Sequence, residues 1–570
     1  MTAYTMTTAG NYSASATWGG VDPSTFVPGT DTLTVPATIT GALVLDTSTT
    51  IPAMTIEDDV YGVVQATGVT TTLGGILTLG NGSAKDGKFS FGAGATLDYG
   101  AFGMVVNNCI LASNATSTNW AKVIGTASTV LGAVYTSPKQ NIQVHYVSWQ
   151  NTGTVRFPAK GASGAVTSYV DVSHCAFVGN TAVNIGTGGS TLAVTPTIAD
   201  YCDFRDCGDV TFAGLSDASS VISCKYSTFK RSTTGFNKVA NNRASAALDL
   251  TGSVLVGYGS YVMAGPTKVK DVFLSWNDQT TDGDAGGVTP LSLSVAGSTM
   301  DGNYVYVPRR VINAHVSGGS GSPTWQNSVY EMYGADGSDG GQMIIPSEIT
   351  VDHVLFFGAA NAIGFAGEVT WNCTVTNCTM VNTQFDSYVQ PTCFWLSENG
   401  GTSGTLILRN NIHGAYGGMS NYFLDDNGEG DDQVFAFAGY NNVYNTTLKY
   451  RNVVITDGSQ YDLSVDPNFV DPTRSVLNWN GHTTDTETTE YLLKRNGFNS
   501  TTMTQSDTPT TLTVADLIAY VRAGFAPTNA ALAGAGYGGV DIGAVDVYIP
   551  PVVSGGIIGP MHLGLGLSLN

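Results

Sequence analysis

A nine-residue pattern returns thirteen times along this chain, and that recurrence limits its fold more than any other feature. The segment around Cys175, VSHCAFVGN, has counterparts centred on residues 109, 147, 202, 227, 253, 272, 298, 328, 354, 378, 411 and 442, at a mean step of about 28 residues. Three residues before each centre lies an apolar or small side chain, as at Val144, Val172, Leu250, Trp325 and Val351; Gly439 is the exception. Two residues after it lies another, as at Trp149, Phe177, Phe204, Phe229 and Phe356; His413 is the exception. These positions are five apart, and an odd separation puts them on opposite faces of a straight strand. Both can enter one core only if the chain bends between them, at the small or Asn/Cys centre. Strand, bend and strand at such a step describe one coil of a β-solenoid, in which each coil packs on its neighbours alone.

Composition agrees. Of 570 residues 70 are Gly and only 12% are charged, while 42% are hydrophobic. That is enough apolar surface for a large core and too little charge for disorder, coiled coil or helical repeats. The formal net charge of −21 disfavours nucleic acid and anionic membrane surfaces as partners, and no apolar run is long enough to span a bilayer. The first twenty residues lack the basic and apolar blocks of a secretory leader.

The bends Asn107-Asn108-Cys109, Asn377-Cys378, Asn410-Asn411 and Asn441-Asn442 resemble the Asn ladders of right-handed parallel β-helix proteins of the pectin-lyase-like superfamily, of the kind found in phage tailspikes and other virion surface proteins. The run from Ser464 to Trp479, followed by Gly539 to Val547, is similar to the final coil and terminal pattern of such proteins, and Thr17–Gly20 with Pro28–Asp31 resembles their opening cap. The resemblance implies an all-β, right-handed parallel β-helix of about thirteen or more coils. Residues 1–100 read as an N-terminal β cap and first short coils, 101–480 as the main helix, 481–547 as a terminal coil and capping helix, and 548–570 as an apolar extended arm. The expected helix starts at Thr513, carries Val514, Leu517, Ile518 and Val521 on one face, and ends at Gly524; across the open end of the solenoid it would block edge pairing.

Candidate chemistry lies in acidic loops after the repeat centres. Asp336 and Asp339 accompany Tyr333, Asp386 accompanies Tyr388, and Asp426 lies in the dense run after Tyr422. If the coils stack in register about 4.8 Å apart, loops after the same bend share one side. Carboxyls there would be spaced for glycoside hydrolysis, and Trp276, Tyr333, Tyr388 and Tyr422 would form a carbohydrate-binding face. Solvated turn chemistry accounts for the same Asp-Gly pairs without catalysis. Asp425, Asn427, Glu429 and Asp431 could hold Ca²⁺, though without EF-hand spacing, and no other cofactor is indicated. The Cys residues at the centres read as small buried fillers, with pairing of Cys202 and Cys207 left open. In the arm, Leu563, Leu565, Leu567 and Leu569 alternate with small residues, a pattern suited to strand addition on a partner.

The expectation is a structural or adhesive protein on the surface of a tailed-phage virion, a tailspike, fibre or capsid decoration. It would be a homotrimer made in the host cytoplasm, attached to other virion proteins through the C-terminal arm and able to meet host surface polysaccharide. The alternatives are a polysaccharide lyase or hydrolase using the acidic face, and a secreted or cell-surface adhesin. The fold alone decides between none of them.

Overall fold

The structure is a computed structural model. It describes the chain from Met1 to Ile549 except for residues 59, 81–86, 107–108, 127–128, 131–139, 151–152, 158–168, 187–196, 213–220, 233–236, 242–246, 264–266, 277–290, 294–298, 308–314, 319–323, 333–341, 346–347, 359–362, 366–371, 383–391, 397–404, 416–419, 427–432, 436, 452, 456 and 500; residues 550–570 lie outside it as well. Three parallel sheets run along the molecule, and each coil gives one strand to each sheet in turn. An early coil places Thr32–Val35 in the first sheet, Leu43–Leu45 in the second and Thr49–Ile51 in the third. Each strand pairs with its counterparts one coil before and one coil after, so strand order within a sheet is chain order. Among the described residues the sheets contain 18, 17 and 16 strands. The all-β parallel solenoid expected from the repeat is therefore present. It has more strands per sheet than the thirteen centres, because the first hundred residues also build coils, beginning at Ala3–Thr5. At that end Trp18 packs edge-on against Tyr12 at 5.8 Å and Phe26 at 5.4 Å, closing the first coils over an aromatic cluster.

The repeat positions fall where the five-residue argument requires. Val172 and Phe177, Leu250 and Leu255, Trp325 and Tyr330 are fully buried pairs on either side of a bend. In the third sheet Trp149, Phe177, Phe204 and Phe229 stand in register on successive coils. Phe177–Phe204 and Phe204–Phe229 stack at 5.0 and 4.5 Å, close to the strand spacing. At three of the repeats the structure shifts the frame. Leu111 and Met300 lie in the second sheet, and Val443 rather than Tyr444 continues the buried column.

The bend itself sits one residue before the centre, and it places two of the centres at Asn303 and Asn441 rather than at 298 and 442. Tyr146, His174, Tyr201, Tyr226, Gly252, Asp271, Gly302, Asn327, His353, Asn377, Asn410 and Tyr440 all have φ between 52° and 70°. This left-handed conformation turns the chain sharply between the second and third sheets, and it favours Gly, Asn, Asp and His. The centre has a different task. Cys175 and Cys202 donate their thiols to Val144 O and Val172 O at 3.2 and 3.0 Å, and Ser227 and Ser253 donate to Ala199 O and Cys224 O, both at 3.0 Å. Ser227 and Ser253 also accept the N–H of Cys202 and Ser227, at 3.0 and 3.1 Å. Small side chains that donate down one coil and accept from the preceding centre thus pair backbone groups that the bend leaves out of the sheets. Cys202 and Cys207 are free thiols, so the open question of their pairing is settled: each donates to a carbonyl.

The outer face of the third sheet is covered too. Val254, Phe273, Tyr304, Val329 and Leu355 form an outward column of successive coils, yet all are 0% exposed. Residues beyond the last coil return along this face and carry two helices, α1 (Asp485–Leu493) and α2 (Val514–Gly524). The second is the helix expected from sequence, with a Thr513–Asp516 capping box and Val514, Leu517, Ile518 and Val521 buried. It does not lie across the open end. It packs on strands Tyr304–Val307 and Val329–Met332, while α1 packs on Thr228–Lys230 and Val254–Tyr258. No helix among the described residues is long and apolar enough to cross a membrane.

Candidate functional site

Most residues singled out in the sequence lie outside the described residues: Tyr333, Asp336, Asp339, Asp386, Tyr388, Asn427, Glu429, Asp431 and the arm leucines Leu563, Leu565, Leu567 and Leu569. Trp276 ends the third-sheet strand Phe273–Trp276. Tyr422, Asp425 and Asp426 belong to strand Ser420–Asp426 of the first sheet, with Tyr422 half-buried. Trp276 and Tyr422 therefore stand on different sheets. The segments holding Asp336 and Asp386 follow third-sheet strands, whereas Asp425 and Asp426 end a first-sheet strand. The acids do not all follow one bend, as a single shared face requires.

The structure instead forms a cleft of about 370 Å³ that sequence reasoning missed, between the third sheet and the returning segment. Its sheet side is built by two neighbouring strands, Asp203–Arg205 and Thr228–Lys230, paired so that Arg205 lies beside Lys230. Both point outward, because the alternate residues Phe204 and Phe229 fill the core. The other side comes from the end of α1 and the loop after it, with Leu493 and Phe498 as the apolar wall.

Arg205 is 8% exposed and sits at the base of this cleft. Its Nη2 donates to Asp203 Oδ1 at 3.2 Å, to Thr228 Oγ1 at 3.3 Å and to the carbonyl of Leu493 at 3.1 Å. The last bond ties the returning segment to the sheet. Burial raises the Asp203 carboxyl above the usual range, and neighbouring Arg205 and the Thr228 hydroxyl pull it partly back. Nε of Arg205 is shut off from solvent without a partner, which leaves Nη1 as the donor this guanidinium offers to the cleft.

The remaining charges are arranged in two sets. Lys230 and Glu490 pair with each other across the cleft at 2.5 Å. Exposed Lys494 has no protein partner, while Asp206 and Asp507 each use only Oδ1, accepting from Ser232 N at 2.7 Å and Asn499 Nδ2 at 2.6 Å. Two donors and two carboxylate oxygens are thus left over beside an apolar wall.

A second feature runs along the bends. Tyr146, His174, Tyr201 and Tyr226 stack at 5.2, 4.9 and 5.1 Å. Trp120 meets one end edge-on and the Arg495 guanidinium covers the other at 4.9 Å. Both terminal faces are occupied, so the row presents ring edges and serves as a brace. Among the described residues no three His, Cys, Asp or Glu side chains converge as a metal site.

No family model matches this chain, and comparison with curated proteins and with solved structures returns no significant match.

Proposed function

We propose that this chain is a structural or adhesive protein on the surface of a tailed-phage particle, a trimeric rod attached through its C-terminal residues. The observation that carries the reading is the continuity of the solenoid. Among the described residues parallel pairing runs from Ala3 to Ile455, with a buried column inside and hydrogen-bonded centres at the bends. Such a body is stiff, because each coil is fixed by two neighbours, and it gives a protease few sites of local opening. Those are properties a particle exposed to the environment needs. The alternating leucines Leu563, Leu565, Leu567 and Leu569 support attachment by strand addition.

Quantitative mass spectrometry of purified particles from the source tests the proposal. Copy numbers near that of the major capsid protein assign a decoration, and a few trimers per particle assign a spike or fibre. Absence from the particles overturns the proposal. A chain lacking Gly555 to Asn570 should keep its circular dichroism spectrum and fail to join particles; normal incorporation overturns attachment through the arm.

A further inference from the structure

The cleft between the third sheet and the returning segment has an assignment that a supporting rod does not require. We propose that it binds a small zwitterion, an α-amino acid. Eleven residues line it, and six of them are charged, three of each sign, in a chain where only 12% of residues are charged. Lys230 and Glu490 satisfy each other. Arg205 Nη1 and Lys494 Nζ remain as donors without protein partners, and Oδ2 of Asp206 and of Asp507 remain as acceptors.

A ligand that meets both sets carries a carboxylate and an ammonium group. Phosphate or a simple carboxylate would satisfy the donors but face two carboxylates. An amine would satisfy Asp206 and Asp507 but face Arg205 and Lys494. Leu493 and Phe498 lie between the charges, but at 1% and 3% exposed they are already packed in the protein's own clusters and add only a small apolar patch. Leucine, a zwitterion whose side chain carries no further charge, therefore probes the two charged sets without adding a third. A volume of about 370 Å³ is at the small end of ligand sites, matching one amino acid rather than a polymer. Arg205 is held in place by three acceptors before any ligand arrives, so little ordering is needed on binding.

Isothermal titration of the full chain with L-leucine, leucinamide and N-acetyl-leucine reads the two charges separately. Leucine should bind saturably, and each analogue lacking one charge should bind at least about tenfold more weakly. Lys494 is exposed and Asp507 half-buried, so Lys494→Glu and Asp507→Asn should leave the melting temperature in place. Each should weaken leucine about tenfold or more, and Lys494→Arg should restore most of it. Failure of leucine to bind overturns the proposal, as does N-acetyl-leucine or leucinamide binding as well as leucine, or unchanged affinity in Lys494→Glu. None of these outcomes bears on whether the chain occurs in particles.

Discussion

The side chain of Asn411 accepts the backbone N–H of Cys378, one coil below, at 3.0 Å, while its Nδ2 donates to Val375 O, also at 3.0 Å. Asn441 repeats the arrangement on Asn411 and Leu408, and Asp462 ends the row by accepting the N–H of Asn441 at 2.9 Å. These groups are buried, so an unmade bond leaves a dry N–H or C=O. Asn411→Leu keeps the branched heavy-atom shape and removes these two bonds, together with the one from Nδ2 to Asn441 Oδ1 at 3.1 Å. It should destabilise the protein by about 2–5 kcal/mol, since two buried groups each lose a partner. Asn411→Ser should cost less than half as much, because Ser227 and Ser253 make both bonds at equivalent bends. Urea midpoints of the two variants check the order.

The left-handed bend can be tested separately from packing. Asn327 has φ of 53° and is exposed; its side chain donates to Asp301 Oδ1 at 2.9 Å, and its backbone N–H donates to Asp352 O at 3.2 Å. A β-branched residue is strongly disfavoured in that conformation, whereas Gly enters it freely. Asn327→Val should lose about 1–3 kcal/mol and Asn327→Gly less than about 1 kcal/mol, as thermal denaturation can measure. Equal losses would mean that the side-chain bond, not the backbone, sets the preference.

The sequence carried the solenoid because its interior columns are made of single residues at fixed offsets. Val172 and Phe177 face one core whatever happens in the loops between coils. Helix α2 was legible for a similar reason, with a Thr513 cap and a regular apolar face. Helix α1 was not, because Thr488 and Thr489 supply half its buried side chains and hide the periodicity; Thr488 is held by Val476 O at 2.7 Å. The covered outer face left a trace in the unbroken apolar runs Tyr304–Val307 and Leu355–Phe357, which lack the alternation of a half-solvated strand such as Thr32–Val35. What covers the face cannot be read from those runs. The cleft was harder still: Arg205 and Leu493 are 288 positions apart and meet only because the segment after the last coil folds back.

His413 breaks the column of apolar side chains, standing between Met380 and Val443. It is 0% exposed, neither ring nitrogen has a partner, and burial lowers it from the ordinary 6.5 to about 4. The folded protein therefore keeps this ring neutral where the unfolded chain would protonate it. Its contribution is present above pH 6.5 and is lost as pH falls through that value toward about 4, for a total near 3 kcal/mol. His413→Met should remove this part of the acid sensitivity. The stability difference between variant and parent should widen between pH 7 and pH 4, which urea titrations at several pH values measure. A constant difference would show that the ring is not held neutral.

The apolar side chains on the two faces of the third sheet form separate clusters, one inside the solenoid and one shared with the returning segment. Phe525, at the end of α2, joins the outer cluster through Phe357 at 4.8 Å and Phe469 at 5.7 Å, and it is fully buried. Phe525→Ala removes an aromatic from that cluster alone, at a cost of about 3–5 kcal/mol. The interior columns and the parallel ladders do not depend on it. The returning segment should therefore loosen before the solenoid: trypsin should cut at Lys494, Arg495 or Arg522 under conditions where the parent resists, while the β-sheet circular dichroism signal persists. Detachment would uncover Val254, Phe273 and Leu355, so the variant should also bind a hydrophobic dye. If digestion and sheet signal are instead lost together at one temperature, the segment is part of a single cooperative unit, and the outer cluster is needed to hold the coils themselves.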